Sequence, residues 1–179
     1  TSVADEFFYH ELLVHPAFPA KSFQEDISYA KANPTKINFG TAGVGATVHL
    51  AGAWLQSATN TKVTFIHYQG NGPMLIELVA GRIDAAPANL PLAMPLMKAD
   101  KVRVLAVMSD ARSALLPGIA TLSEQGLPGY DYASWLGFIA PAGTPPAIVN
   151  KLSETFARVA RLPDLSKRFE AEGAVMVGS

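Results

Sequence analysis

"INFGTAGVGATVHLAG", residues 37–52, is the stretch from which the fold is read. Ile37 and Phe39 alternate with polar neighbours, small residues follow, and from about Thr47 the apolar spacing turns helical. A strand that turns through Gly40, Gly43 and Gly45 into a helix is the corner from which βα units are built. Such a corner either brings a ligand close to the backbone or only permits tight packing. The residues by themselves leave both readings open.

Two nucleotide readings fail on the spacing. A Walker loop requires a lysine and then Ser or Thr after its last glycine, and Ala46 stands in the lysine position. A G-x-G-x-x-G reading uses Gly43 and Gly45 but meets Val48 where the third glycine belongs, with no acid about 20 positions on. What remains is a set of backbone N–H groups at a helix start, where aligned peptide dipoles leave partial positive charge. The hydroxyls of Thr41 and Thr47 add donors. No Lys or Arg lies close in sequence, so the corner suits an exchangeable anion such as a carboxylate.

Outward from this corner the pattern repeats. Upstream, "ELLVHP" (11–16) is a short apolar run ended by proline. Ser22 with Glu25 then forms a capping box for a helix whose Phe23, Ile27 and Ala30 share a face, closed by Pro34. Downstream, "KVTFIHYQG" (62–70) is β-branched and aromatic, and "NGPMLIELVAGR" starts a helix with Pro73 in its first turn and Gly81 near its end. "IDAAPANLP" reads as a short strand leading into a proline-punctuated loop, and "KVRVLAVMSD" (101–110) as a strand covered on both faces. This alternation predicts an α/β sandwich with a mainly parallel sheet flanked by helices.

After Asp110 the character changes to loops with a short helix near Leu122–Gln125. A long strand over 132–146 ends at a Pro/Gly corner, where Thr144 is expected to cap a helix with Pro145 first. Ile148, Leu152, Phe156 and Val159 then make one apolar stripe, and Leu165, Phe169 and "GAVMVGS" suggest a further helix and strand. The chain opens in a strand-like run and closes as another begins, so residues are expected to be missing at one or both ends.

Composition narrows the function. The chain has 179 residues, 49% hydrophobic and 16% charged, enough for a sizeable core. A net charge of −1 with no basic block argues against nucleic acid as a partner. No run of about 18 apolar residues predicts membrane insertion. The absence of cysteine excludes thiol catalysis, zinc-thiolate sites and iron–sulfur clusters. His10, His15, His49 and His67 form no metal-ligand spacing, no G-x-S-x-G elbow is present, and Glu77 and Asp84 are isolated acids. The expectation is therefore no catalytic residue, no metal and no cofactor. His49, at the start of the helix after the glycine turn, either faces a ligand or bonds to backbone. Ligands of open α/β sheets sit outside the carboxyl ends of the strands, which puts Tyr68, Gln69, Ala88 and Asn89 on the same rim as Thr41–Gly45.

Five stretches, in order, carry a resemblance: "PAKSFQEDISYAKANPTKINFGTAGVGATVHLAG", "VTFIHYQGNGPMLIELVAGRID", "NLPLAMPLMKADKVRVLAV", "ARSALLPGIATLSEQGLPGYDYASWLGFIAPAGTPPAIVNKL" and "FEAEGAVMVG". From Pro19 to Gly178 the chain resembles the tripartite tricarboxylate transporter receptor (TctC/Bug) family of bacterial periplasmic solute-binding proteins. The resemblance implies a periplasmic-binding-protein-like (type II) two-lobe fold in which this chain is truncated and one lobe is incomplete. Residues 1–19 would hold a strand and crossover from the incomplete first lobe, 20–131 the complete second lobe, and 132–179 the return to the first. Residues 11–19 and 132–144 would act as a hinge. It also implies a periplasmic receptor, with no signal peptide in this chain, that captures a small organic carboxylate in an interlobe cleft. The receptor would deliver that solute to the membrane components of a tripartite tricarboxylate transporter. By position, Thr41, Ala42, Gly43, Gly45, Ala46 and Thr47 would bind a ligand carboxylate, with His49, Tyr68, Gln69, Ala88 and Asn89 lining the pocket. Many members carry an acid before that asparagine, and Ala88 here disfavours an amino-acid ligand. The alternatives are the effector-sensing domain of a transcription regulator and, behind it, a small-molecule enzyme.

Overall fold

The computed structural model describes residues 2–171 and 174–176. The chain divides into two compact units, one of residues 10–132 and one of residues 1–9 with 133–179. Strand β1 (Ser2–Val14) contributes to both.

In the unit of residues 10–132, β1 is joined by β2 (Asn38–Thr41), β3 (Thr64–His67), β4 (Ala85–Asn89) and β5 (Arg103–Val107), in the order β3-β2-β4-β1-β5. β2 runs parallel to β3 and β4, and β1 lies antiparallel between β4 and β5. The four strands β2 to β5 therefore share one direction, as the alternating pattern implies. The reversed β1 makes the sheet mixed. Helices cover both faces. On one, Leu12, Val14, Phe39 and Ala106 pack with Phe23 and Ala30 of α1 (Phe23–Ala32) and Ala51 and Leu55 of α2 (Thr47–Thr59). On the other, Leu13, Ala86 and Ala88 pack with Met74, Leu75 and Leu78 of α3 (Asn71–Val79) and Ala93 of α4 (Leu90–Lys98). Leu12, Leu13 and Val14 are fully buried, and each such side chain contributes about 1.5–3 kcal/mol.

Two glycines in this unit answer to packing. A Cβ on Gly40 would lie 2.4 Å from Cδ1 of Ile83, and one on Gly52 would lie 2.6 Å from Cε1 of Phe39. The α2 backbone thus rests directly on the aromatic rings of β2 and β3.

Local chemistry explains where elements start. The Ser22 hydroxyl accepts from the Glu25 N–H (3.3 Å), while the Glu25 carboxylate reaches back to the N–H of Lys21 (2.7 Å), one residue beyond a closed capping box. The proline-rich segment after Asn89 is a helix, α4, and not the expected loop. Pro91 falls in its first turn, where a missing N–H costs nothing, and buried Leu90 and Ala93 hold it despite the bond that Pro95 cannot donate. The expected helix at 122–125 is a single turn closed by Gln125 N–H to Thr121 O. There Thr121 and Glu124 bond reciprocally, with Glu124 N–H on the Thr121 hydroxyl (3.1 Å) and Thr121 N–H on the Glu124 carboxylate (2.8 Å).

In the other unit, β6 (Ala133–Ile139) and β7 (Ala174–Met176) both pair antiparallel with the early part of β1. Helices α5 (Pro146–Ala160) and α6 (Pro163–Ala171) follow β6. α5 starts one residue later than expected: Pro145 takes the cap position, and the Thr144 hydroxyl donates to Pro141 O (2.9 Å) instead. Of the predicted stripe on α5, Phe156 stacks on Phe138 (4.7 Å between centroids), whereas Ile148 and Leu152 are exposed. The last residues of the expected closing strand, 177–179, lie outside those described.

Candidate functional site

The carboxyl ends of β2, β3, β4 and β5 form one edge of the sheet, because these strands share a direction. The glycine corner stands on that edge. Thr41 ends β2 fully buried, and its hydroxyl lies 2.6 Å from Nδ1 of His67 at the end of β3. Gly43 and Gly45 adopt φ of +133° and +77°, backbone that L side chains rarely enter, so here the glycines serve conformation. Between them exposed Val44 forms the tip. The turn closes by Ala46 N–H to Gly43 O (3.2 Å), and α2 begins at Thr47.

No side chain caps α2. The Ala46 carbonyl takes the N–H of His49 and Leu50, which leaves the N–H groups of Thr47 and Val48 at the open end of the helix. His49 turns its ring toward the turn, and Nδ1 accepts the Gly45 N–H (3.0 Å). Its ring also stands edge-on to Phe65 and His67 (5.0 and 4.9 Å). His49 thus shapes the corner through a backbone bond and occupies one of its donors.

The loop after β3 is tied to this corner by backbone. Tyr68 N–H donates to Thr41 O (2.9 Å), and Gly70 N–H donates to Ala42 O (3.2 Å). The Tyr68 side chain is half-buried, with its hydroxyl raised above the usual phenol range, first by burial and then by the Glu77 carboxylate. Gln69 is exposed. Thr41, Ala42, Gly43, Gly45, Ala46, Thr47, His49 and Tyr68 therefore form one connected group.

Ala88 and Asn89 divide between the two faces of the sheet. Ala88 is fully buried against the α3 and α4 side, so it offers the edge only backbone. Asn89 points to the α2 side, since Ala85, four residues before it on β4, packs in that core. It stands at the cap position of α4, yet its side chain does not cap, and its buried Oδ1 has no partner.

Three further residues stand at this edge that the sequence did not place there. Tyr132 donates its hydroxyl to Thr47 O (2.6 Å), at the first turn of α2. Its ring stands edge-on to His10, 6.1 Å away. His10 and Glu11 are the cross-strand partners of Asn89 and Ala88. Both are buried, and neither His10 Nδ1 nor either Glu11 oxygen finds a partner. Burial pushes Glu11 up to about 8 and His10 down to about 4, so both are neutral at pH 7. The signal for them was strand register: the "ELLVHP" run, which begins at Glu11, extended by one residue to His10, brings both beside the end of β4.

The arrangement has hydrogen-bond donors, an open helix start and neutral polar groups. Among the described residues, no three His, Asp or Glu gather as metal ligands. The family model described as "Tripartite tricarboxylate transporter family receptor" matches residues 8–177. A curated relative from Agrobacterium vitis, the UPF0065 protein in the TAR-I ttuE-ttuC' intergenic region, is 38% identical over 157 residues, covering 88% of this chain and 45% of its own length. The solved structure "R. palustris Rpa4515 with adipate" superposes with a TM-score of 0.92 at 33% identity, over 97% of this chain and 58% of that one. MatC from Rhodopseudomonas palustris, with bound malate, gives 0.90 at 30% identity, over 98% and 60%. The chain spans about half the length of the curated relatives it matches. Its fold is periplasmic-binding-protein-like, with a mixed sheet flanked by helices.

Proposed function

Because this chain belongs to the tripartite tricarboxylate transporter receptor family, we propose that it is part of an extracytoplasmic receptor for a small organic carboxylate. The receptor binds a di- or tricarboxylate or related acid, releases it unchanged to the membrane components of a tripartite tricarboxylate transporter, and performs no chemistry. A periplasmic location follows from that role. Thr41–Gly45, Ala46, Thr47 and the Tyr68 loop hold one carboxylate of the ligand, and Asn89 lies further along the same edge.

The observation that carries this reading is the open start of α2: no side-chain cap, a glycine corner beside it and no cation in the turn. Helix-start N–H groups attract an anion, and without a lysine or arginine the attraction stays moderate enough for release. Related structures with adipate and malate fit ligands of this class.

The test is a thermal-shift panel on the intact protein with carboxylates of about four to six carbons. Stabilisation grows as RT ln(1 + [L]/Kd), so a ligand at about a hundred times Kd adds roughly 2.7 kcal/mol. One or a few acids should raise Tm, and Thr41→Val with Thr47→Val should reduce the shift. A panel in which no organic acid acts, or in which nucleotides act instead, sinks the reading.

A further inference from the structure

His10 and Asn89 face one another across β1 and β4 at the edge that carries the glycine corner. Directly opposed residues of an antiparallel pair project to the same face. That face is the α2 side, because Val14 and Ala85, the opposed pair four residues along, both pack in the α2-side core. His10 is only 4% exposed, and its Nδ1 has no partner; Asn89 Oδ1 is likewise buried and unpartnered. Two adjacent unsatisfied polar atoms are unusual, since buried polar groups are nearly always hydrogen-bonded. One outside group that reached both would satisfy them together.

Two observations connect this pair to α2. The Tyr132 ring touches His10 edge-on, and the Tyr132 hydroxyl bonds to Thr47 O at the helix start. β1 lies two strands from β2, roughly 10 Å at the usual strand spacing. A short carbon chain with a polar group at each end fits such a separation.

We propose that His10 and Asn89 form a second polar subsite, which receives the terminal carboxylate of the ligand remote from α2. This rests on the receptor reading above. The Asn89 amide turned to present its NH2, and the His10 tautomer with hydrogen on Nδ1, supply two donors to that carboxylate. Since burial keeps the His10 ring neutral near pH 7, the subsite binds by hydrogen bonds and not by charge, in keeping with a solute that must leave again. Glu11, the next residue on β1, does not compete for the donors, because it projects to the α3 and α4 side with Ala88.

The experiment is calorimetry or ligand competition on the intact protein, with the tightest-binding linear dicarboxylate and the monocarboxylate in which a methyl group replaces one carboxylate. His10→Phe keeps the ring and removes the nitrogens. It should weaken the dicarboxylate at least tenfold and leave the monocarboxylate within twofold. Asn89→Ala, at a half-buried position, should show the same selectivity and serves if His10→Phe fails to fold. Equal losses for both ligands, or no loss for either, overturn the subsite and leave the receptor reading standing. Failure of the wild type to bind any carboxylate removes both.

Discussion

Replacing Glu11 by leucine should stabilise the protein, and by more at pH 8 than at pH 5. The side chain is 0% exposed, and neither carboxylate oxygen has a partner. Its burial pushes the carboxyl up to about 8 from an ordinary 4.5. A group whose native pKa is raised favours the native state fully below the unfolded value and loses that contribution as pH rises through the native one. Between pH 4.5 and 8 the unfolded chain releases a proton that the native state keeps, at about 1.4 kcal/mol per pH unit. The carboxyl therefore withdraws up to roughly 4 kcal/mol between pH 5 and pH 8, a loss that leucine does not suffer. Asp26, raised to about 7, and His10, lowered to about 4, also bend the wild-type profile, but they cancel in the difference between wild type and variant. Urea unfolding of both proteins at the two pH values gives that difference directly. A gain of the same size at pH 5 and pH 8, or a loss at pH 8, would show that Glu11 is not held neutral by burial and would refute the reasoning.

Other perturbations test other parts of the fold and site. Gly40→Ala forces a Cβ to 2.4 Å from Ile83 and 2.9 Å from Met74, so it should cost about 1–3 kcal/mol in chemical denaturation. Thr41→Val keeps the buried shape but removes the bond to His67, and should cost about 1 kcal/mol. His10 favours the native state above pH 6.5 and loses that contribution as pH falls through about 4, by up to about 3 kcal/mol. His10→Phe should flatten this acid limb of the stability profile relative to wild type, and parallel limbs would exclude a buried neutral histidine.

The sequence disclosed what is local. Ser22 and Glu25 announced α1, the run through Phe39 announced β2, and the β-branched and aromatic residues of 62–70 announced β3, because capping, periodicity and propensity act over a few residues. The glycine corner was also legible, including its failure as a nucleotide loop. Its double use was not: Gly43 and Gly45 serve conformation, while Gly40 makes room for Ile83 and Met74, and only the neighbours distinguish those roles. Pro91, closing the "IDAAPANLP" stretch, suggested a loop because local propensity disfavours a helix there, and the burial of Leu90 and Ala93 overrode it. His10, weighed only as a metal ligand, and Glu11, read only as part of a strand, were not placed at the site for a different reason. Their meaning depends on the register of β1 against β4, a pairing between residues far apart in the chain.

The reversed central strand also has a consequence for how the chain reaches this fold. β1 is made before its partners at 85–89, 103–107, 133–139 and 174–176, so its hydrogen bonds must wait until they are synthesised. By contrast, β2, α2 and β3 can assemble from neighbouring sequence alone. Closing the long loop before β1 can dock is entropically costly and slows folding of high-contact-order topologies. Until then Leu12, Leu13 and Val14 form an exposed apolar strand with free edges, the kind of segment that pairs with other chains. The residues that make the core of the finished sheet are thus the ones most in need of protection during synthesis.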